Sequence, residues 1–295
     1  METNNSTGFI YDEEIIEKVV SSLPKGIFGA AAPHLKESGK GVTRLLTDSF
    51  KRSGLEFPLL NQGAYGVCTS MATSGGVDVL RATEIAEGER SEFKAITASE
   101  PIYYGARKLA GFKYRGDGAS VALAIKYIAE YGTIIRGKYG NIDLTTYSGE
   151  RSRKWGSNSG FPKTIEDISK EHVIQQYARV RSYEEARDSI ANGYPVIVGS
   201  EYGFSNQCNN DGIAAQNTSW SHAMYMAGIR ADKQLVLIVN SWGNWNRMPV
   251  RKFNEPIGSF WVTADVAHKM CVNGDAWSIS QHEGYPLKVD SKVAW

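Results

Sequence analysis

Residues 61–80, NQGAYGVCTSMATSGGVDVL, constrain this chain more than any other stretch. They supply a glutamine, Gly63 and Gly66 where the backbone can turn, and then Cys68 where a helical pattern begins. After Cys68, the residues Met71, Ala72, Gly75, Val79, Ala82 and Ala86 recur at three- and four-residue steps, the spacing of one buried helix face. A cysteine in the first turn of a helix meets unpaired backbone N–H groups and the positive end of the helix dipole. Both favour thiolate over thiol, so the position suits a nucleophile. A small buried core cysteine is the plain alternative, and for Cys68 alone it is the better reading. The rest of the chain decides.

At 295 residues the chain is long enough for one large domain or for two lobes sharing a cleft. Its 33 basic residues balance 32 acidic ones, so nothing points to nucleic acid or an anionic membrane as partner. Cys68, Cys208 and Cys271 are widely spaced and odd in number, giving neither a disulfide framework nor the paired spacing of a zinc site. The start, METNNSTGFIYDEE, lacks the apolar core of a signal peptide, and no apolar run reaches membrane-span length. These features imply a soluble protein of a reducing compartment, cytoplasmic or virion-associated.

Along the chain, residues 1–9 read as disordered, and residues 12–23 as an amphipathic helix with Ile15, Ile16, Val19, Val20 and Leu23 on one face. Residues 24–56 show no clear period and read as a lead-in that wraps the fold. Helices follow from Ser99–Glu100–Pro101 to Gly111 and from Asp117–Ser120 to Gly132. Residues 137–163, rich in Gly, Ser, Asn and Tyr, read as a long surface loop. A helix with a Ser182/Glu185 capping box spans 182–192. Strands are expected at 196–198, 222–229, 235–239 and 259–263, with 201–219 a polar loop. The first half is therefore helical and the second mainly sheet, with no internal repeat.

Four separated features fit one chemistry. Gln62 precedes Cys68, His222 opens a strand, and Asn240 closes the next as Asn240–Ser241–Trp242–Gly243. Thiol hydrolysis needs a thiolate, an imidazole to share its proton, a side chain to hold that imidazole, and donors for the oxyanion. Singly, each has a plainer reading: Gln62 as a loop cap, His222 as a structural histidine, Trp242 as core. Cys208 and Cys271 are read as incidental, and His34, His172, His268 and His282 sit in no comparable context. Asp117 and Asp211, beside glycines, read as turn residues rather than a carboxylate pair.

With these residues in place, the chain resembles the papain-like cysteine peptidases. That family's Q-G-x-C-G-S-C-W run is matched by residues 62–69, QGAYGVCT, its His-Ala pair by His222–Ala223, and its Asn-Ser-Trp-Gly in full by residues 240–243. The resemblance covers about residues 55–285, and the closing GSFWVTADVAHKM is similar to propeptide-poor members from bacteria and phages. The resemblance implies an α+β, two-lobed fold: an N-terminal extension at 1–55, a helical lobe at 56–180, a β-rich lobe at 181–285 and a tail at 286–295, with the cleft between the lobes. It implies a catalytic set of Cys68, His222 and Asn240, an oxyanion hole from Gln62 and the Cys68 N–H, and Trp242 shielding the triad. No metal or cofactor is implied. Tyr65 stands where the family has a disulfide-bonded cysteine, and Thr69 where it has an aromatic residue. The His222 spacing implies an enlarged loop within 137–163 or 201–219.

The expected function is endopeptidase action on a polypeptide through a thioester acyl-enzyme. Two alternatives stand beside it: a thiol amidase or acyltransferase acting on peptidoglycan or another amide, and a catalytically silent virion or binding protein. The N-terminal extension could serve as pro-segment, latch or docking arm for a virion or scaffold partner.

Overall fold

The computed structural model describes residues 7–88, 92–281 and 285–288. His282 and residues 1–6 lie outside these. In chain order, α1 (Glu13–Ser21), α2 (Phe28–Ala31), β1 (Arg44–Leu45) and α3 (Asp48–Arg52) lead into α4 (Cys68–Ala86). Then come α5 (Ser99–Leu109), α6 (Val121–Glu130), β2 (Lys138–Tyr139), β3 (Ile142–Asp143), α7 (Gly149–Gly156) and α8 (Lys163–Ser169). The remainder is β4 (Gln176–Arg179), α9 (Tyr183–Ala191), β5 (Val196–Cys208), β6 (Ala214–Arg230), β7 (Leu235–Val239), β8 (Ser259–Thr263), α10 (Ala264–Val272) and β9 (Asp275–Ser280).

The main sheet is antiparallel in the order β4-β9-β5-β6-β7-β8, with β1 added on β6. β7 is apolar and buried at every position, as expected of a strand covered on both faces. α4 carries more than the single apolar face its spacing suggested: its first thirteen residues are all buried. It can lie this close to the sheet because two neighbouring positions lack a side chain. A Cβ at Gly75 would stand 2.6 Å from the Tyr225 ring, and one at Gly76 would stand 2.8 Å from Ile197 Cδ1. α4 thereby presents Cys68 to the start of the apolar half of β6.

A second tie joins sheet and helices. Buried Asp275, the first residue of β9, accepts from the Ala122 N–H at 2.9 Å and the Ser120 hydroxyl at 3.2 Å. It caps α6 from another element, where a carboxylate meets unpaired N–H groups and the positive dipole end.

Several expectations need correction. Residues 7–9 are ordered: Gly8 and Phe9 donate backbone hydrogen bonds to Ser221 O, and Phe9 is buried. Residues 137–163 contain a small hairpin and α7, held by an inward Trp155 and by Ser148, whose side chain caps α7 at the Arg151 N–H. The polar stretch 201–219 is no loop but the outer arm of the β5–β6 hairpin, with Tyr202 opposite Ser219 and Cys208 opposite Ala214. Only its tip turns, where Asn209 Oδ1 accepts from Asp211 and Ile213 and Gly212 takes φ +78°. An arm wet on its outer face is polar for that reason, and polarity alone cannot separate it from a loop.

Candidate active site

Cys68 is the first residue of α4 and is fully buried. Burial pushes its thiol up to about 11, against the lowering influence of the Ala223 and Gly8 N–H groups that face the sulfur. Position 68 thus touches the residue that follows His222 in β6. The helix terminus, which should favour a thiolate, is outweighed here by exclusion of water.

His222 is also fully buried, and desolvation holds its imidazole down to about 4. Its Nε2 lies 2.8 Å from Asn240 Oδ1. The same oxygen accepts the Ser241 backbone N–H at 2.7 Å, which fixes which end of the amide faces the ring. Nε2 therefore carries the hydrogen, and Nδ1 is left as the basic nitrogen. Among the described residues, Nδ1 has no hydrogen-bond partner. Trp242 lies tilted over the ring, with centroids 4.2 Å apart and planes at 32°. Trp220 and Trp245 close around Trp242 at 4.7 Å and 5.7 Å. The result is an apolar wall around the His222–Asn240 bond.

Gln62 is buried beneath the same wall. Its Oε1 accepts from the Ser241 hydroxyl at 2.7 Å, and its Nε2 donates to Tyr65 O at 2.7 Å. Backbone bonds from Gln62 N to Ser241 O and from Gly243 N to Leu60 O stitch the glutamine strand to the Asn–Ser–Trp–Gly run. Ser241 thus orients both Asn240, through its N–H, and Gln62, through its hydroxyl. Sequence reasoning gave Ser241 no role, nor Trp220. The only signal for Ser241 was its place in a motif already used for its neighbours. Thr69, buried in place of an aromatic residue, donates its hydroxyl to Ala119 O at 2.9 Å.

Across these groups lies the chain's own N-terminal segment. Gly8 and Phe9 donate to Ser221 O at 3.2 Å and 3.0 Å, Ala119 donates to Gly8 O at 3.0 Å, and Ile10 donates to Ala119 O at 3.0 Å. The Phe9 ring, only 4% exposed, fills the space that a side chain at Gly199 would occupy. This backbone is held on both edges, as an extended peptide would be in a cleft.

Residues 119–263 match a protein family described as Peptidase_C39 like family, a segment that carries His222 and Asn240 and stops short of Cys68. No curated protein matches the chain. Among solved structures the chain is similar to xylellain, a cysteine protease from Xylella fastidiosa, with a TM-score of 0.61 at 19% identity over 96% of this chain and 98% of that one. It is also similar to procathepsin B S9 from Trypanosoma congolense, with a TM-score of 0.51 at 10% identity over 95% of this chain and 84% of that one. The fold is the α+β papain-like fold that the resemblance implied.

Proposed function

We propose that this chain is a cysteine endopeptidase whose nucleophile is Cys68, seen here in a closed form. One observation carries the reading. A buried imidazole is locked by Asn240 on Nε2 and left without a hydrogen-bond partner on Nδ1, and the N–H of the next residue, Ala223, faces the sulfur of a cysteine at a helix start. A structural histidine is expected to satisfy both nitrogens once buried.

In the proposed reaction His222 Nδ1 takes the Cys68 proton, and the sulfur attacks the scissile carbonyl. The Cys68 N–H and the Gln62 amide stabilise the oxyanion. The Gln62 Nε2 donates to Tyr65 O, which fixes the end of the amide that bears the N–H groups. His222 then protonates the leaving amine, and water attacks the thioester with His222 again as base. Asn240 and Trp242 keep the ring oriented and dry. The backbone of residues 8–10 supports a polypeptide substrate, because it uses Ser221 O and both polar groups of Ala119 as an extended peptide would.

With the segment in place the pair is neutral, thiol with imidazole. Displacing it admits water, relieves both desolvation penalties and allows the thiolate–imidazolium pair to form. The same occlusion also suits a silent binding protein. Intact-mass spectrometry after treatment with an epoxide inhibitor of papain-like enzymes separates the two. A single adduct on wild type, absent from Cys68→Ala, is expected. No adduct even in a Phe9→Ala chain, or equal labelling of Cys208 and Cys271, would favour the silent protein.

A further inference from the structure

The loop at residues 62–67 must place the Cys68 N–H and the Gln62 amide around one point, yet it has no disulfide at position 65. On one side it is sewn to Ser241. On the other side it meets a different kind of fastening. The Gly66 N–H donates to Asp117 Oδ2 at 3.1 Å. Arg153 grips the same carboxylate with two bonds, Nε to Oδ1 at 2.9 Å and Nη2 to Oδ2 at 2.6 Å. Its guanidinium also lies 4.7 Å from the centre of the Tyr65 ring. That ring rests on Gly149, the first residue of α7, where a Cβ would stand 2.1 Å from Tyr65 Cδ2.

The loop that carries Asp117 is itself fixed. Buried Arg107 of α5 donates to the carbonyls of Tyr114, Gly116 and Gly118 at 2.6, 2.9 and 2.8 Å. Arg153 keeps the Asp117 carboxyl below the usual carboxylate range, so the anion persists. The fastening therefore runs from α5 and α7 through one carboxylate to a backbone N–H two residues before Cys68. A planar guanidinium suits this geometry, since two parallel bonds define direction as well as distance.

We propose that Asp117 and Arg153 are positioning residues that hold the oxyanion loop in register, an ionic clamp at the position where the papain-like pattern has a covalent one. The proposal rests on the reading of Cys68 as nucleophile. The plain alternative is a surface ion pair, since Arg153 is 56% exposed, and such pairs add little to stability. The two differ in what they govern. A surface pair would leave chemistry alone, whereas the clamp should govern one chemical step and hardly affect folding.

The test compares two reactions of Cys68 in the full-length chain. Alkylation by iodoacetamide forms no oxyanion, whereas hydrolysis of an activated p-nitrophenyl ester does. Asp117→Asn is expected to lower ester kcat by about tenfold or more, as a misplaced donor does, with KM little changed. Alkylation should stay within about twofold of wild type, because no oxyanion donor is used. Arg153→Lys, which keeps the charge and loses the fork, should fall between. An unchanged ratio of the two rates, or both falling together, overturns the clamp. If neither wild type nor Phe9→Ala shows either reaction, the nucleophile reading fails, and hydrogen exchange of the Gly66 amide decides alone. Protection in wild type that is lost in Asp117→Asn upholds the clamp, and equal exchange removes it.

Discussion

His222 and Asn240 share a 2.8 Å bond from ring Nε2 to amide Oδ1, and the amide is held from behind by the Ser241 N–H at 2.7 Å. The bond sets the tautomer and leaves Nδ1 without the hydrogen, as the base of the proposed reaction, so its value is directional. Asn240→Ala should lower kcat/KM toward a peptide by up to about a hundredfold, the low end of an acid–base contribution. It should also cost about 1–3 kcal/mol of stability, because a buried N–H loses its partner. Steady-state kinetics beside urea unfolding measures both, and unchanged turnover would remove Asn240 from the machinery.

In the proposed closed form, Phe9 is the ring that holds the N-terminal segment against Gly199 of β5. Burying a phenylalanine contributes about 1.5–3 kcal/mol, and about 1.4 kcal/mol is a factor of ten in population. Phe9→Ala should therefore speed iodoacetamide labelling of Cys68 by about tenfold or more. It should also move the half-reactive pH well below the value of about 11 that burial imposes in the closed form. Gly199→Ala offers an independent check, since its Cβ would stand 2.2 Å from Phe9 Cε2 and push the ring out without altering the segment. Equal labelling of all three proteins would mean that residues 7–10 are not the barrier.

These residues also mark how far the sequence could be read. The three- and four-residue steps after Cys68 located α4, since a helix periodicity survives burial. That α4 is buried on almost every side lay in Gly75 and Gly76, whose meaning depends on Tyr225 and Ile197, remote in sequence. β8 matched its expected bounds because a short apolar run, residues 260–262, opening after Gly258 is a local signal. The arm at 201–219 and helix α7 were missed because their surfaces are polar, and pairing partners decide such segments. At the site, Cys68, Gln62, His222, Asn240 and Trp242 each stood in a recognisable run. Phe9, Asp117 and Arg153 did not, and Ser241 stood in one without a role of its own, since all four act through backbone groups or through partners that only the fold brings near. Asp117 read as a turn residue, and no local pattern tells it to meet Gly66.

The close approach of α4 to the sheet predicts its own cost. Gly75→Ala would place a methyl 2.6 Å from the Tyr225 ring edge, in a core with nowhere to move. Overpacking of this kind costs about 1–3 kcal/mol. Denaturant midpoints should fall accordingly, with the slope of the transition unchanged. Because α4 carries Cys68 at its start, the labelling rate of Cys68 should shift as well. A neutral effect on both would mean that helix and sheet separate without penalty.

Two buried groups act on the acid side of the stability profile in opposite directions. His222 is lowered from 6.5 to about 4 by burial, so an unfolded chain takes up a proton there first. Its contribution is fully present above pH 6.5 and is lost as pH falls through about 4. Asp78 is raised from 3.8 to about 6, again by burial, against the lowering influence of its bonds to Thr97. Its contribution is fully present below pH 3.8 and is lost as pH rises through about 6. Each shift corresponds to roughly 3 kcal/mol at most, so between about pH 4 and pH 6 the two nearly cancel. Removing either one should expose the other. His222→Gln should lose less stability than wild type on acidification from about pH 7 to about pH 4.5, and Asp78→Asn should lose more. Urea midpoints at the two pH values give the comparison directly. If both variants moved in the same direction relative to wild type, the opposed titrations inferred from burial would be wrong, and the neutral thiol–imidazole pair of the closed form would lose its electrostatic basis.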